Sequence, residues 1–129
     1  MRDKLQAFLE GFSEKPVEWG RDDCSAVCAL WARENGFDIH LPHYTSQDEA
    51  HAIIDAAGGL MAVWDEVTLE GDLPERDGAP ELGDVGIIDT RRFGPIGVIW
   101  GSGGTCCWRT NSGFFWLAPR SHLKVWAIT

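Results

Sequence analysis

Residues 16 to 31 read Pro-Val-Glu-Trp-Gly-Arg-Asp-Asp-Cys-Ser-Ala-Val-Cys-Ala-Leu-Trp, and this stretch decides how the rest of the chain is interpreted. Asp22 or Asp23 can cap a helix, because a side-chain carboxylate accepts hydrogen bonds from the free N–H groups of the first turn. Apolar residues then recur at helical spacing, namely Val27, Leu30 and Trp31. Asn35 and the glycine after it are typical of a helix end. The pattern predicts a helix from about residue 23 to residue 35.

Cys24 falls in the first turn of this predicted helix. The free N–H groups and the helix dipole at that position favour a thiolate, so a nucleophilic cysteine is commonly built this way. The same position also suits a small buried residue that only packs at a helix start. Cys28 lies one turn later on the apolar face, and we expect it in the core.

Length and composition indicate one globular domain covering residues 1–129. Hydrophobic residues make up 44% of the chain and charged residues 24%, proportions typical of a folded protein. The formal net charge is −9, which argues against binding to nucleic acid or to an anionic membrane, because both need a basic surface.

The sequence suggests neither membrane insertion nor a cofactor. No apolar run follows the charged start, and none approaches the ~20 residues of a membrane span, so we expect cytoplasmic synthesis without a signal peptide. The adjacent pair Cys106-Cys107 is poorly placed for a mutual disulfide, since neighbouring strand residues point to opposite faces. Cysteines spaced as Cys24 and Cys28 are a weak match to zinc ligands. We therefore expect free thiols, no metal and no cofactor.

Apolar periodicity changes character along the chain. Helical spacing predicts helices over residues 3–13 and 23–35 and a short fourth over 60–67. A Ser46–Glu49 capping box opens a third helix, whose inward residues are predicted to be Ala50, Ile53, Ile54 and Ala57. After a loop rich in Gly, Pro and Asp, short apolar runs predict five strands, at residues 85–89, 97–100, 105–109, 114–118 and 123–128. We therefore predict an α+β fold, in which the N-terminal helices pack on a C-terminal, mostly antiparallel sheet.

Two blocks of sequence resemble the NlpC/P60 family of papain-like cysteine hydrolases. The first is Trp19-Gly20 followed by Asp23-Cys24-Ser25, which is similar to that family's nucleophile region. The second consists of Gly83-Asp84-Val85-Gly86-Ile87-Ile88 and Gly94-Pro95-Ile96-Gly97-Val98-Ile99-Trp100-Gly101, which resemble its next two strands. The resemblance implies a papain-like, NlpC/P60-type fold. The nearest likeness is to phage and prophage tail-region members of the superfamily.

The resemblance also implies roles for individual residues. Cys24 stands at the nucleophile position, and Asp23 caps or orients the helix start. The family's histidine base falls at Pro95, which cannot transfer a proton, and its oxyanion-binding tyrosine falls at Val17. Among the histidines, His43 in a loop and His122 before the last strand are the candidates for a replacement base, although a lone histidine is more often simply solvated.

Two functions of different classes follow. In the first, the protein is a phage or prophage tail component, found in the virion, that has the hydrolase fold but has lost catalysis. In the second, it is an active thiol peptidase that cleaves peptide bonds of peptidoglycan with Cys24 as nucleophile. The absence of a base at Pro95 favours the first function.

A predicted hairpin between residues 105 and 118 is the candidate partner surface. Phe114 and Trp116 face one side of the strand, and Phe115 and Leu117 face the other, so both faces are apolar. Either the first helix or the loop over residues 70–82 covers the second face, or that face binds other tail proteins.

Overall fold

Helices occupy the first half of the chain and strands the second. The computed structural model describes residues 1–129. Its helices are α1 (Arg2–Glu10), α2 (Cys24–Glu34), α3 (Gln47–Ala57) and α4 (Leu60–Glu70). Its strands are β1 (Val85–Thr90), β2 (Gly94–Trp100), β3 (Cys106–Thr110), β4 (Gly113–Leu117) and β5 (Lys124–Trp126). The predicted α+β class is therefore confirmed.

The five strands form one sheet in the order β4-β3-β2-β1-β5, and every neighbouring pair is antiparallel. The first four strands form a meander, whereas β5 crosses back to lie beside β1. The outer edge of β5 is covered by the preceding loop, because Glu75 bridges Trp126 and the N–H of Ala127 donates to the carbonyl of Pro74. The opposite edge of the sheet is β4.

Helix α2 is the central helix of the core. It buries Val27, Cys28 and Trp31 against a sheet face that carries Ile87 and Ile99. The Trp31 indole also donates a 2.7 Å hydrogen bond to the carbonyl of Gly83, at the entrance to β1. Trp31 therefore fixes the sheet's first strand to the helix through both packing and a hydrogen bond.

The start of α2 lies directly on β2. A Cβ atom added to Gly97 would lie 3.0 Å from the Cys24 carbonyl oxygen, so a side chain here would force the start of α2 slightly away from the strand. Cys24 is the first residue of α2. The predicted placement of Cys24, in the first turn of a helix on this sheet, is confirmed.

Several predicted boundaries are wrong by a few residues. Helix α1 ends at Glu10, not residue 13, and α4 continues to Glu70, beyond the predicted residue 67. Ala50 is buried as predicted, and the half-buried Ile53 and Ile54 pack against the main core while also lining a surface cleft. Ala57, which was predicted to face inward, is exposed. None of the helices is long and apolar enough to cross a membrane.

Both faces of the sheet are apolar. The face away from α2 carries a second, smaller cluster of five buried residues, namely Ile88, Val98, Trp100, Cys106 and Val125. On the hairpin, Phe12, just after α1, covers Phe114, with ring centroids 5.9 Å apart. Phe115 on the other face packs against Trp108, with ring centroids 5.0 Å apart, and remains 55% exposed. Neither α1 nor the loop at residues 70–82 covers Phe115.

Candidate functional site

A cleft of about 700 Å³ opens beside the start of α2. Its walls come from that helix start, from α3, from the turn between β1 and β2, and from the ends of β2 and β3. Two exposed aromatic side chains, Trp19 and Phe93, lie on its lining. The cleft is the place where the sequence predicts chemistry, since Cys24 lines it.

The Cys24 side chain is half-buried, and its environment favours the protonated thiol. Its Sγ lies 3.6 Å from the main-chain oxygen of Arg109, to which the thiol donates a hydrogen bond. Burial, and then the neighbouring Asp23 carboxylate, raise the pKa of Cys24 from an ordinary value of 9.0 to about 11. These two effects outweigh the helix dipole, so Cys24 is a neutral thiol at pH 7.

Asp23 is the N-cap residue of α2 and is nearly fully buried. One carboxylate oxygen accepts from the N–H of Ala26 at 3.2 Å and the other from the N–H of Gly20 at 2.7 Å. The hydroxyl of Tyr44 donates to both oxygens, at 2.8 and 2.9 Å. Asp23 therefore orients the helix start, and its negative charge is stabilised by a complete set of donors.

Tyr44 is a cleft residue that sequence reasoning missed. It follows α2 in a loop, far in sequence from Val17, where the resemblance places a tyrosine. Burial, and then Asp23, raise the pKa of its hydroxyl well above the usual range. Because this hydroxyl is committed to Asp23, it is not free to donate to an oxyanion. In the sequence, the only feature that set Tyr44 apart was that it is the chain's single tyrosine.

The two predicted replacement bases do not meet Cys24. His43 is exposed in the loop before α3 and does not line the cleft. The His122 ring packs edge-on against Trp100, at 5.9 Å between centroids, on the sheet face away from α2. The histidine that does line the cleft is His51, on the exposed side of α3.

Pro95 lies on the face of the sheet that is turned toward Cys24. Residues two apart on a strand point to the same face. Gly97 abuts the Cys24 backbone, and Pro95 stands two residues earlier on β2 and lines the cleft. The place where the resembled family has its base is therefore directed into this cleft but holds a side chain without a titratable group.

A buried ionic cluster supports the floor of the cleft, and sequence reasoning missed it as well. The Arg109 guanidinium is fully buried, donates to the carbonyl of Lys15 at 2.7 Å, and lies 3.7 Å from the Asp22 carboxylate. Lys15 Nζ lies 3.0 Å from the same carboxylate. The cluster fastens the segment before α2 to the β3–β4 hairpin and so fixes the carbonyl that the Cys24 thiol contacts.

Asp84 has a structural role at a distance from the cleft. Its carboxylate accepts two hydrogen bonds from the Arg76 guanidinium, at 2.8 and 3.0 Å, and one from the N–H of Glu81. It also accepts from the N–H of Ile128. Asp84 thus fastens the loop before β1 to the C-terminal segment.

The chain holds four free cysteines and no group of three metal-ligating side chains. Three of these cysteines are fully buried, and Cys24 alone has access to the cleft.

Fold and site together define an α+β domain in which a helix-initiating cysteine faces a cleft on an antiparallel sheet. The chain belongs to a family of domains of unknown function, DUF6950, whose model matches residues 1–128. No curated protein and no solved structure matches it.

Proposed function

We propose that this protein is a catalytically degenerate relative of the NlpC/P60 cysteine hydrolases, with a papain-like fold, that serves as a component of a phage or prophage tail. The observation that carries the loss of catalysis is Pro95. It faces the cleft beside Cys24 and offers no group that could remove the thiol proton. The tail assignment rests on the sequence resemblance.

Three requirements of a thiol hydrolase are unmet together. The thiol is protonated at neutral pH, since burial and Asp23 raise its pKa to about 11. Neither His43 nor His122 lines the cleft. The one tyrosine hydroxyl near Cys24 is bound to Asp23. General acid–base catalysis supplies ~10²–10⁴-fold in rate. In the structure the Cys24 thiol is hydrogen-bonded to a main-chain carbonyl, which cannot provide it.

The β3–β4 hairpin supports a structural role in an assembly. Phe115 and Trp116 are 55% and 45% exposed, and Phe115 packs against the partly exposed Trp108. Exposed aromatic clusters of this kind usually mark protein-binding surfaces. In this proposal the exposed face of the hairpin, which carries Phe115, docks on a neighbouring tail protein, and the acidic remainder keeps the free chain from self-associating. Phe114, on the other face, is covered by Phe12 within the chain.

One observation favours a second function, an active thiol peptidase acting on peptidoglycan. Cys24 and His51 line the same 700 Å³ cleft, so a shift of α3 could bring the imidazole toward the sulfur. His51 then takes the role of base, which the sequence resemblance assigns to the position of Pro95.

Release of soluble peptides from purified peptidoglycan separates the two functions. We expect the wild-type protein and Cys24→Ala to release equal, background amounts, while an active NlpC/P60 hydrolase serves as the positive control. Release that both Cys24→Ala and His51→Ala abolish, with His43→Ala unchanged as the matched control, contradicts the structural role and supports the peptidase.

Detection in the assembled particle tests the tail assignment. We expect antibodies to label the tail in purified virions, and a structure of that assembly to show Phe115 covered by another chain. Particles that lack the protein contradict the assignment, whatever the peptidoglycan assay shows.

A further inference from the structure

Strand β4 is an open edge of the sheet. It pairs with β3 through a two-residue turn that brings Thr110 opposite Gly113. In such a hairpin the closing pair is hydrogen-bonded, and the pairs then alternate, so Phe115 and Leu117 exchange backbone hydrogen bonds with β3. The N–H and C=O groups of Phe114 and Trp116 point away from β3 and have no partner in the chain.

Phe114 and Trp116 form the free part of this edge, since the segment after α1 packs only against its start, where the N–H of Glu14 donates to the carbonyl of Ser112. Proteins commonly block such an edge with lysine, proline, a bulge or a covering segment. The sequence of β4 is Gly-Phe-Phe-Trp-Leu, without charge or proline. The other edge strand, β5, is covered by the loop around Glu75. The edge at β5 is therefore covered by backbone pairing with a loop, whereas the edge at β4 has no such pairing.

A groove of about 460 Å³ runs between α1 and this open edge. Its lining is mixed. Apolar side chains come from Leu5 and Leu9 on the helix and from Phe114 and Trp116 on the strand, and polar ones include Arg2, Gln6 and Glu10. The residues whose backbone groups are free are thus the same two whose side chains line the groove. A strand added beside Trp116 would place every second side chain in the groove.

We propose that this groove binds an extended segment of a partner polypeptide, which adds to β4 as an antiparallel sixth strand and places apolar side chains at alternate positions between α1 and β4. Five residues of strand span about 17 Å, which is the length of free edge that β4 offers. This binding mode concerns a different face from that of Phe115 and does not depend on the tail assignment.

Charge favours a partner segment over a second copy of the chain. Each copy carries a net charge of −9, so two copies repel each other, whereas a segment with basic flanks is attracted.

The probe is a fluorescent heptapeptide, Lys-Val-Thr-Val-Thr-Val-Lys, used in two N-methylated forms. In an antiparallel pair, a residue that exchanges backbone hydrogen bonds with Phe114 or Trp116 also points its side chain to the same face of the sheet as they do. The valines that enter the groove therefore direct their N–H groups to β4. We expect methylation of the valine amides to weaken binding at least tenfold. Methylation of the threonine amides, which point to solvent, is expected to leave binding within twofold.

Two variants of the protein give the matched comparison. Trp116→Pro removes an outward N–H and a groove side chain without removing a hydrogen bond to β3, and edge strands tolerate such a proline. We expect it to weaken peptide binding at least tenfold. Phe115→Lys changes an exposed side chain on the opposite face, and we expect it to leave peptide binding within twofold.

Amide hydrogen exchange gives a readout that does not depend on how the variants fold. In the free protein, we expect Phe114 and Trp116 amides to exchange faster than those of Phe115 and Leu117, and to become protected when the unmethylated peptide binds.

Equal binding of both methylated peptides, or no binding up to about 1 mM, overturns the proposal. Protection of Phe114 in a concentration-dependent dimer, without peptide, assigns the edge to a second copy and also overturns it. If Phe115→Lys loses tail assembly but still binds the peptide, that loss concerns the proposed function and not this binding mode.

Discussion

The Cys24 thiol donates its hydrogen bond to the main-chain carbonyl of Arg109, 3.6 Å from the sulfur, and not to a base. A carbonyl oxygen can accept this proton in a hydrogen bond but cannot remove it at neutral pH. The carbonyl is held in place because the Arg109 side chain is anchored in the ionic cluster with Asp22. The surroundings of the cysteine are thus built to hold a thiol and not to generate a thiolate.

Alkylation of Cys24 is expected to be slow at pH 7 and to accelerate as the pH rises toward 11. Only the thiolate reacts, and burial together with Asp23 raises the pKa of this thiol to about 11. The measurement is the rate of iodoacetamide labelling from pH 7 to 10.5, assigned to Cys24 by peptide mass spectrometry. The contrary result is a labelling midpoint below pH 8.

Asp23→Asn provides the control for the electrostatic part of this effect. Asparagine also caps helices, so the fold is expected to persist while the negative charge next to the sulfur is removed. We expect faster labelling than in the wild-type protein at every pH below 10. An unchanged rate assigns the raised pKa to burial alone.

Pro95→His is expected to increase the reactivity of Cys24 without restoring hydrolysis. The new imidazole faces the cleft on the same side of β2 as Gly97, and a neighbouring imidazolium stabilises a thiolate. We expect labelling at pH 7 to rise about tenfold. Peptide release from peptidoglycan is expected to stay at background, because the position at which the proposed relationship places an oxyanion donor is occupied by Val17.

Pro95→Ala is the matched control, since it removes the proline ring without adding a titratable group. If Pro95→Ala accelerates labelling as much as Pro95→His, the effect is one of access to the cleft. Full hydrolytic activity in Pro95→His contradicts the expectation that the oxyanion site is also lost.

Arg109→Met is expected to lower the free energy of unfolding by about 3 kcal/mol. The change leaves the buried Asp22 with only Lys15 as a cationic partner and removes a donor from the Lys15 carbonyl. Urea denaturation monitored by tryptophan fluorescence gives the value. Lys15→Met, at the half-exposed end of the same cluster, is expected to change stability by less than about 1 kcal/mol. Equal effects of the two variants contradict the central role of Arg109.

Stability is expected to fall as the pH rises above about 9. The folded-state pKa values of Cys24 and Cys106 are raised to about 11, chiefly by burial, so the unfolded chain loses these protons first, near the ordinary value of 9.0. Fewer protons on the unfolded state mean that the free energy of unfolding decreases with pH. By pH 10 we expect a loss of about 1 kcal/mol or more, measured by urea denaturation.

The contribution of a single thiol to this loss is isolated with Cys106→Ala. This variant is expected to have a lower stability at pH 7 but a shallower decline between pH 9 and 10.5. A decline as steep as that of the wild-type protein assigns the alkaline effect to other groups.

Local signals explain which parts of the structure could be predicted. The cap at Asp23, the helix that follows it and the order of helices before strands depend on neighbouring residues, and all appear in the structure. Residues far apart in sequence gave no such signal. Tyr44 meets Asp23, and Arg109 meets Asp22, only after the loop and the hairpin have folded against α2.

The positions of the histidines illustrate this difference between local signals and contacts of residues distant in sequence. Their positions at loops and helix surfaces did not reveal that His122 packs on Trp100, behind the sheet, while His51 reaches the cleft. Which side chains share a cavity depends on how α3 packs on α4 beside the start of α2, and its own sequence specifies only that it is a helix.

The sequence by itself determined the α+β class, the helix that begins at Cys24, and the absence of a titratable side chain at Pro95, because each depends on residue type and short-range spacing. Only the tertiary structure decided that this thiol is buried beside a carboxylate and bonded to the Arg109 carbonyl, and that β4 is left as an open edge beside α1. The physical reason is that burial, pKa and strand pairing arise from contacts between residues distant in the chain, which form only when the whole domain packs.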